Sequence, residues 1–457
     1  MNGRPRMRAG SVLTVLAGIA GVAFSVCLYF PGYLSFDSAY QYWQVRTGLI
    51  SNQSPVAMIA LWQLVAALWP SPAAMLTLHF AAYWTGLVLL ALQFWQGSLP
   101  RIVFLLVAGF LPPTFVIMGH VWTDVSLIAA MTLAFGLTVT GTLDRRPLAL
   151  ALALPVIAYA GVVRYNALFA IIPLAALWAA AALDTWRARR GAPASTHRGI
   201  AVAALAVAIV AGSFTFGRVL DQRMTRERVS TWTLVALWDL AAMSVRTGTM
   251  LVPEFARSPG LTLDALRRDY TPLVNVPIFS ETPHVRHGLD EERYSDEELA
   301  RLRSAWLQTI AAHPLAYAQH RWDVTSHLFG RYRSNLEGLF FTPAVVAYKD
   351  NPPLPPALWS LRDTLTALVR KTRGWLVFMP ALYLALAAGA AACGWLSRDT
   401  PRGRIALSVA GSGLLLVLPL TLAAPSAELR YSGWMFAASV IALAACTSRA
   451  TPRALPR

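Results

Sequence analysis

The chain has few charged residues, and this scarcity decides the class of protein. Asp, Glu, Lys and Arg together make up 14% of the 457 residues, and 56% of the residues are hydrophobic. Typical soluble domains have about 25% charged residues. Apolar runs of about 20 residues, the length that crosses a lipid bilayer as a helix, recur along the sequence. A soluble globular protein is therefore excluded, and the sequence predicts an all-α polytopic membrane protein.

Cysteine and acidic residues are also scarce. The three cysteines, Cys27, Cys393 and Cys446, lie within or beside apolar runs, and their odd number without a spacing pattern gives neither a disulfide framework nor a metal site. The 39 basic residues outnumber the 23 acidic ones, for a net charge of +16. Much of this charge lies in short loops, where it orients a membrane protein, and no nucleic-acid motif accompanies it. We therefore expect no nucleic acid partner.

Ten apolar runs qualify, or nearly qualify, as spanning helices. They begin near Ser11, Ala73, Ile102, Val125, Leu148, Ala167, Ile200, Trp375, Ile405 and Ser432. Residues 55–69 are apolar but too few, and two prolines close the segment, which indicates a re-entrant or interfacial helix. The sequence therefore predicts about ten transmembrane helices.

The arginines set the predicted orientation. With the N-terminus in the cytoplasm, the clusters of arginine fall on the cytoplasmic side, as the positive-inside rule requires. The arginines on that side are Arg4, Arg6, Arg8, Arg101, Arg145, Arg146, Arg187, Arg189, Arg190, Arg198, Arg398, Arg402, Arg404, Arg449, Arg453 and Arg457. Counting residues 55–69 as a further span would move the later clusters outside. Both termini are therefore predicted to be cytoplasmic.

The longest interval between apolar runs divides the chain into three parts. We expect an N-terminal transmembrane module at 1–219 with an outer loop at 31–54, an extracytoplasmic and mainly helical region at 220–374, and C-terminal transmembrane helices at 375–457. In the middle part, Ser295 and Glu298 have the spacing of a capping box at a helix start. His313 and Pro314 end that helix, and Pro314 opens the next one.

Five charged residues stand just past the ends of apolar runs. If the chain crosses the membrane as predicted, Asp37, Asp124, Arg164, Glu428 and Arg430 all lie on its outer side. An ion conduit more often has its charges near the middle of the membrane. Carboxylates and arginines at one face instead indicate chemistry on a phosphate-bearing lipid, because the guanidinium fork matches phosphate oxygens.

Each of these residues also has a plainer interpretation. Asp37 could accept a proton from an incoming hydroxyl, and Asp124 could act with it as a base or as a ligand of a metal or hydroxyl. An Asp at a helix start, however, is often only a cap. Arg164 and Arg430 could bind phosphate or pair with a nearby acid, and the sequence favours neither alternative.

Several short motifs occur in a fixed order along the chain. They are Tyr33-Leu-Ser-Phe-Asp37, Ser51-Asn-Gln-Ser-Pro55, Trp122-Thr-Asp124, Arg164-Tyr165-Asn166, the series Trp306, Pro314, Tyr317 and Arg321, and Glu428-Leu-Arg430-Tyr431. By their order and common side these motifs, which cover most of the chain, resemble those of the membrane-embedded C-type glycosyltransferases, the GT-C superfamily, in its bacterial members that use polyprenyl-phosphate sugars.

Three departures from the superfamily narrow the acceptor. The outer loop has a single Asp37 where protein mannosyltransferases have an Asp-Glu pair, which argues against a protein acceptor. The Trp-Trp-Asp signature of oligosaccharyltransferases is absent. The chain is also shorter than the aminoarabinose transferases that modify lipid A.

The resemblance implies a glycosyltransferase that moves one hexose or pentose from a polyprenyl-phosphate donor to a glycan or lipid acceptor of the cell envelope, with inversion. It places the enzyme in the bacterial cytoplasmic membrane, among membrane lipids, with a periplasmic active site. The resemblance makes Asp37 the base and Asp124 a second catalytic acid. It places Arg164, Arg430 and Tyr431 at the donor phosphate, and Arg46, Asn166, Arg321 and Glu428 in secondary or acceptor contacts. Asp124 and Glu428 would also be the ligands of an optional Mg or Mn ion.

Two other functions remain as alternatives. A polymerase or ligase of lipid-linked polysaccharide also uses outward-facing arginines, but it takes longer, diphosphate-linked donors and fits the two outer aspartates less well. A secondary transporter or flippase predicts internal repeats and broken helices with polar residues at mid-depth. The sequence has no clear repeat, and its exceptional charges cluster at one face.

Overall fold

A computed structural model describes residues 9–191, 196–289, 292–330 and 346–448. Within these ranges the chain forms helices joined by loops, with four isolated β-bridges and no strand, which confirms the all-α class. The predicted cytoplasmic residues Arg4, Arg6, Arg8, Arg449, Arg453 and Arg457 lie outside them. The helices are α1 (Ala9–Tyr29), α2 (Phe36–Thr47), α3 (Val56–Ala66), α4 (Pro72–Phe94), α5 (Ser98–Gly109), α6 (Pro112–Met118), α7 (Thr123–Leu143), α8 (Pro147–Val162), α9 (Ala167–Arg190), α10 (Arg198–Met224), α11 (Trp232–Thr247), α12 (Leu263–Asp269), α13 (Val276–Ser280), α14 (Asp296–Ala312), α15 (Pro314–Leu328), α16 (Leu361–Thr372), α17 (Pro380–Leu396), α18 (Pro401–Val417), α19 (Leu420–Ala423) and α20 (Gly433–Thr447).

Seven stretches of the described chain are helical, long and apolar enough to cross a membrane. They are α1, α4, α7, α9, α10, α18 together with α19, and α20 together with the turn before it. The bent pair α5 and α6 would make an eighth span. The other two predicted spans form α8 and α17, which have 16 and 17 residues. The structure thus shows a multi-helix membrane-type fold, and the count of about ten spans stays a prediction.

The segment at 55–69 forms α3, which has only 11 residues. That is about half of the 20 residues that a spanning helix needs. α3 packs against α2, where the Tyr42 and Trp62 rings stack with their centroids 5.4 Å apart. This short helix fits the predicted re-entrant or interfacial element.

The bend between α5 and α6 has a local cause. The two helix axes differ by 62° across Phe110 and Leu111. Pro112 and Pro113 follow and open α6, and a proline restricts the residue before it to extended conformations, so the helix cannot continue straight through. α6 then leads into the loop that ends at Trp122, and Asp124 follows in the first turn of α7.

α4 packs closely against α7 at two glycines. Gly86 and Gly136 face each other, and a side chain at either position would meet backbone: a Cβ at Gly136 would lie 2.8 Å from the Gly86 carbonyl oxygen. Small residues of this kind let membrane helices approach closely. The contact therefore positions the helix whose first turn contains Asp124.

The charged residues predicted to lie on opposite sides of the membrane stand at opposite ends of the helix bundle. α1 ends, α7 and α9 begin, and α18 ends at the end of the bundle that holds Asp37, Asp124, Arg164, Glu428 and Arg430. At that end Asn166 donates a hydrogen bond to the Leu416 carbonyl. At the other end, Arg198 pairs with Asp184 at 2.8 Å and Gln93 donates to Asp144 at 2.8 Å. The predicted cytoplasmic arginines of the described chain, from Arg101 to Arg404, flank helix ends on this second side.

A second group of helices, α11 to α16, lies between α10 and α17; we call residues 232–372 the connecting region. Ser295 and Glu298 form the predicted capping box at the start of α14, with both reciprocal hydrogen bonds present. α14 ends at Ala312, and α15 begins at Pro314, also as predicted. The predicted boundary after residue 219 falls inside α10, which ends at Met224, and the first C-terminal helix begins at Pro380 rather than near Trp375.

Candidate active site

The five charged residues predicted to share one side form a single cluster. Asp37 stands in the first turn of α2, Asp124 in the first turn of α7, and Arg164 in the corner between α8 and α9. Glu428 and Arg430 come from the segment before α20. Four separate parts of the sequence therefore supply one group of three carboxylates and two guanidinium groups. Its formal charge is −1.

Arg430 joins two of the carboxylates. Its Nη2 donates to Asp37 Oδ2 at 2.9 Å, and its Nε contacts Glu428 Oε2. The Arg430 side chain is 15% exposed, whereas Asp37 is 47% exposed. No donor from the described chain reaches Asp37 Oδ1. Asp37 therefore has one oxygen fixed by Arg430 and one oxygen open to an incoming group.

Asp124 and Arg164 form a second, more enclosed ion pair. Their side chains are 4% and 15% exposed. Burial lowers the pKa of the Arg164 guanidinium to about 10, which still leaves it protonated at neutral pH. Removing one partner of a buried ion pair costs about 3–5 kcal/mol because the other charge stays buried without compensation. Each partner of this pair therefore depends on the other for its charge compensation.

Tyr431 packs between the two arginines. The Arg164 guanidinium lies 4.9 Å from the Tyr431 ring centroid and the Arg430 guanidinium lies 5.5 Å from it. The Tyr431 hydroxyl is 3.1 Å from the Ser426 hydroxyl, which donates to Glu428 Oε1 at 2.9 Å. Tyr431 thus holds the arginines by cation–π contacts on a buried ring.

Two further residues of the cluster were missed from the sequence. The Trp122 ring lies under Arg430, with the guanidinium 4.8 Å from the ring centroid, and Trp122 Nε1 donates to Ser35 Oγ at 2.8 Å. Ser426 bridges Glu428 and Tyr431. Trp122 stands next but one to Asp124 in the sequence, so its position beside a candidate acid was the available signal. Ser426 had no comparable signal.

The structure also tests whether the two aspartates are helix caps and whether the two arginines pair with acids. The N-cap position of α2 is Ser35 and that of α7 is Trp122, so neither Asp37 nor Asp124 is a helix cap. Both arginines do pair with acids, Arg164 with Asp124 and Arg430 with Asp37 and Glu428. Their predicted phosphate contacts would have to form in addition to these pairs.

Three other predicted site residues, Asn166, Arg46 and Arg321, lie outside the five-charge cluster. Asn166 holds the Leu416 carbonyl at 3.0 Å, which ties the α8–α9 corner to α18. Arg46, at the far end of α2, donates to the Asp350 carbonyl and to Asn351 Oδ1. Arg321 is buried in the connecting region against Asp239 and does not touch the five charges.

A cavity of about 370 Å³ adjoins the cluster at Arg164. Apolar groups from α8, α9 and α10 line it, among them Val162, Leu168 and Phe214. Its charged lining is Arg164, Arg218, Arg228 and Asp221, a net charge of +2. The cavity therefore combines an apolar wall with a basic surface.

Arg218 is the least constrained cation of this cavity. Arg228 pairs with Asp221 at 3.0 Å, and Arg164 pairs with Asp124. Arg218 is exposed on the last turns of α10, and within the described ranges it has neither an ion-pair partner nor a hydrogen-bond acceptor. An anion entering the cavity would therefore meet Arg218 without displacing a carboxylate.

Tyr165 closes one side of the same cavity. Its side chain is 64% exposed. Its hydroxyl donates to the Asn52 carbonyl at 2.7 Å. Tyr165 therefore joins the α8–α9 corner to the loop before α3.

No metal centre is evident in the described part of the chain. Within it, no three His, Cys, Asp or Glu side chains are grouped so that they could hold a metal ion. Arg430 lies between the Asp37 and Glu428 carboxylates, and Arg164 contacts Asp124. A Mg or Mn ion at Asp124 and Glu428 stays a prediction.

No family model, no curated protein and no solved structure matches this chain.

Proposed function

We propose that the protein is a membrane glycosyltransferase that moves a single sugar from a polyprenyl-phosphate donor to a hydroxyl group of a cell-envelope glycan or lipid. One observation carries this proposal. A half-exposed carboxylate, Asp37, is held on one oxygen by Arg430 and left open on the other, in a cluster that adjoins a basic, apolar-walled cavity. This arrangement combines a general base with a place for a lipid phosphate.

The proposed step is a direct displacement. The acceptor hydroxyl gives its proton to Asp37 Oδ1 while its oxygen forms a bond to the anomeric carbon. The bond between that carbon and the phosphate oxygen breaks, and polyprenyl phosphate leaves with the bonding electron pair. Attack opposite the leaving group inverts the anomeric configuration.

The arginines of the cluster and of the cavity have different roles in this step. Because Arg430 pairs with both Asp37 and Glu428, its first role is to orient the base. Arg164 reaches from the cluster into the cavity, where Arg218 is also present. Preorganised cations at the place where negative charge develops lower the barrier of such a step. We therefore assign the donor phosphate to Arg164 and Arg218.

We place the active site on the periplasmic side of a bacterial cytoplasmic membrane. The support is the distribution of arginine: the clusters lie at the bundle end opposite the site, and the positive-inside rule assigns such clusters to the cytoplasm. The connecting region would then be extracytoplasmic and would cover the site from that side.

The test is mass spectrometry of envelope glycolipids and polysaccharides from cells without the gene. These cells are complemented with the wild type, with Asp37→Asn, or with the control Asp264→Asn, at equal membrane abundance. Asp264 is a carboxylate on the surface of the connecting region, with 88% of its side chain exposed. We expect loss of one sugar residue in the deletion, restored by the wild type and by Asp264→Asn but not by Asp37→Asn.

Two outcomes would count against the proposal. If Asp37→Asn restores the sugar as well as the wild type does, Asp37 is not the base. If the envelope is unchanged by deletion under all growth conditions tried, a transporter becomes the better interpretation of the fold.

A further inference from the structure

The last residues of α19 and the segment after them lead from α18 to the cluster. Helices of the connecting region donate hydrogen bonds to this segment. We call residues 421–428 the arm; it ends with Glu428. Arg321 Nη1 donates to the Ala424 carbonyl at 2.9 Å, and the Tyr317 hydroxyl donates to the Leu422 carbonyl at 3.3 Å. The Ala427 amide donates to the Leu273 carbonyl at 2.7 Å. The connecting region therefore sets the path of the arm backbone.

Arg321 is itself fixed by a buried carboxylate. Asp239 in α11 is fully buried, and its Oδ1 lies 2.6 Å from Arg321 Nη2 and 3.1 Å from His320 Nε2. Its other oxygen accepts a hydrogen bond from Trp306 Nε1 at 3.0 Å. One hydrogen bond and two close ionic contacts from α14 and α15 thus surround Asp239, and Arg321 connects Asp239 to the arm.

The arm continues directly into the five-charge cluster. Ser426 donates to Glu428, Glu428 contacts Arg430, and Arg430 donates to Asp37. An unbroken series of polar contacts and backbone therefore runs from Asp239 to the proposed base.

We infer that Asp239 and Arg321 are positioning residues for the cluster: through the arm they set where Glu428 and Arg430 stand relative to Asp37. A buried ion pair adds little net stability compared with apolar packing, so its value lies in the geometry it imposes. The Arg321 guanidinium reaches the Asp239 carboxylate and the Ala424 carbonyl at once, which the single ammonium of lysine cannot do in the same geometry. The consequence for turnover rests on the proposed function, whereas the positional effect does not.

The test is hydrogen–deuterium exchange of the purified full chain in lipid nanodiscs. The variants are Asp239→Asn and Arg321→Lys, with Asp323→Asn as matched control, because Asp323 pairs with Arg246 between the same two helices without touching the arm. The reporters are the Ala427 and Tyr431 amides, which donate to the Leu273 and Glu428 carbonyls. We expect exchange in 424–431 to accelerate about 10-fold or more in Asp239→Asn and Arg321→Lys, and to stay at the wild-type rate in Asp323→Asn.

Two results would overturn the inference: unchanged exchange in 424–431, or an equal acceleration across α11, α14 and α15. If Asp239→Asn does not fold, the double variant Tyr317→Phe/Thr325→Val removes two milder arm contacts and is expected to accelerate 424–431 by about 3-fold. Failure of that acceleration would also overturn it. Because exchange is measured without substrate, the result stands apart from the test of transferase activity.

Discussion

Arg430 donates a hydrogen bond to Asp37 across 393 positions of sequence, at a distance of 2.9 Å. The same guanidinium contacts Glu428 and covers the Trp122 ring. One side chain thus orients the proposed base, neutralises a second acid and contacts an aromatic surface. Arginine is suited to this because its fork contacts two acceptors while its planar face stacks on a ring.

Replacement of Arg430 is expected to lower the proposed activity strongly at equal membrane abundance. Arg430→Gln removes the cation that orients Asp37, and we expect the transferred sugar to fall by about 100-fold or more, the lower end of the contribution of a positioned general base. Arg430→Lys keeps the charge without the fork and should retain part of the activity. The measurement is the envelope mass spectrum of complemented cells. Full activity of Arg430→Gln at equal membrane abundance would contradict the role.

The cavity cation Arg218 is expected to determine affinity for the lipid phosphate. Loss of a hydrogen bond to a charged group costs about 1.5–3 kcal/mol, so Arg218→Ala should weaken binding of a polyprenyl phosphate by about 10- to 100-fold. Native mass spectrometry of the purified protein with a polyprenyl phosphate, compared with the same polyprenol without phosphate, measures this. Arg223→Ala is the matched control, because Arg223 is also exposed near the end of α10 but does not line the cavity. Equal affinities for both lipids in the wild type would argue against a phosphate site.

The α4–α7 contact is expected to be sensitive to a single methyl group. A Cβ at Gly86 would overlap the Thr132 backbone, which cannot move aside cheaply, so Gly86→Ala should lower the free energy of unfolding by about 1–3 kcal/mol. Gly212→Ala in α10 is the control, since a Cβ there meets open space and alanine favours the helix. Thermal unfolding of both variants in the same detergent gives the comparison. A drop in unfolding temperature for Gly212→Ala as large as for Gly86→Ala would show that the close contact is not the cause.

His320 is expected to make the stability of the connecting region depend on pH. It lies between the Tyr270 hydroxyl and the Asp239 carboxylate; burial lowers its pKa, Asp239 opposes that shift, and the nearby Arg321 and Arg246 reinforce it. A histidine with a lowered folded-state pKa is protonated first in the unfolded chain. The free energy of unfolding therefore falls as the pH drops below about 6.5.

The measurement is the unfolding temperature at about pH 5.5 and about pH 7.5, on either side of the ordinary histidine pKa. We expect the wild type to unfold at a lower temperature at the acidic pH and His320→Gln to show a smaller difference. An identical difference in the two proteins would assign the pH dependence to other groups.

Much of the architecture follows from local sequence. Apolar runs predict helices because a membrane helix must be apolar along its whole length, and each of the ten predicted runs does form a helix. Ser295 and Glu298 predict the start of α14 because a capping box needs only residues three positions apart. The common side of the five charges follows in the same way, since helices carry the chain back and forth between two faces.

The pairings within the site do not follow from local sequence. Arg164 lies in the corner between α8 and α9, and Asp124 lies in α7. The sequence around each residue does not indicate whether Arg164 contacts Asp124 or a phosphate. The motifs give Asp239 no role. Its position as a lone acid in the apolar sequence of α11 nevertheless indicates a buried carboxylate with a basic partner. Its partner Arg321 lies in α15, after the whole of α14, and only the packed structure brings the two together.

The long separation between Asp37 and Arg430 has a consequence for biosynthesis. The α2 segment emerges from the ribosome well before α20 is made, and at about 5–20 residues per second the gap of 393 positions takes about 20–80 s. During that interval the Asp37 carboxylate lacks its counter-charge. The cluster is complete only after the segment before α20 has been made, so a growing chain cannot carry out the proposed chemistry before that point.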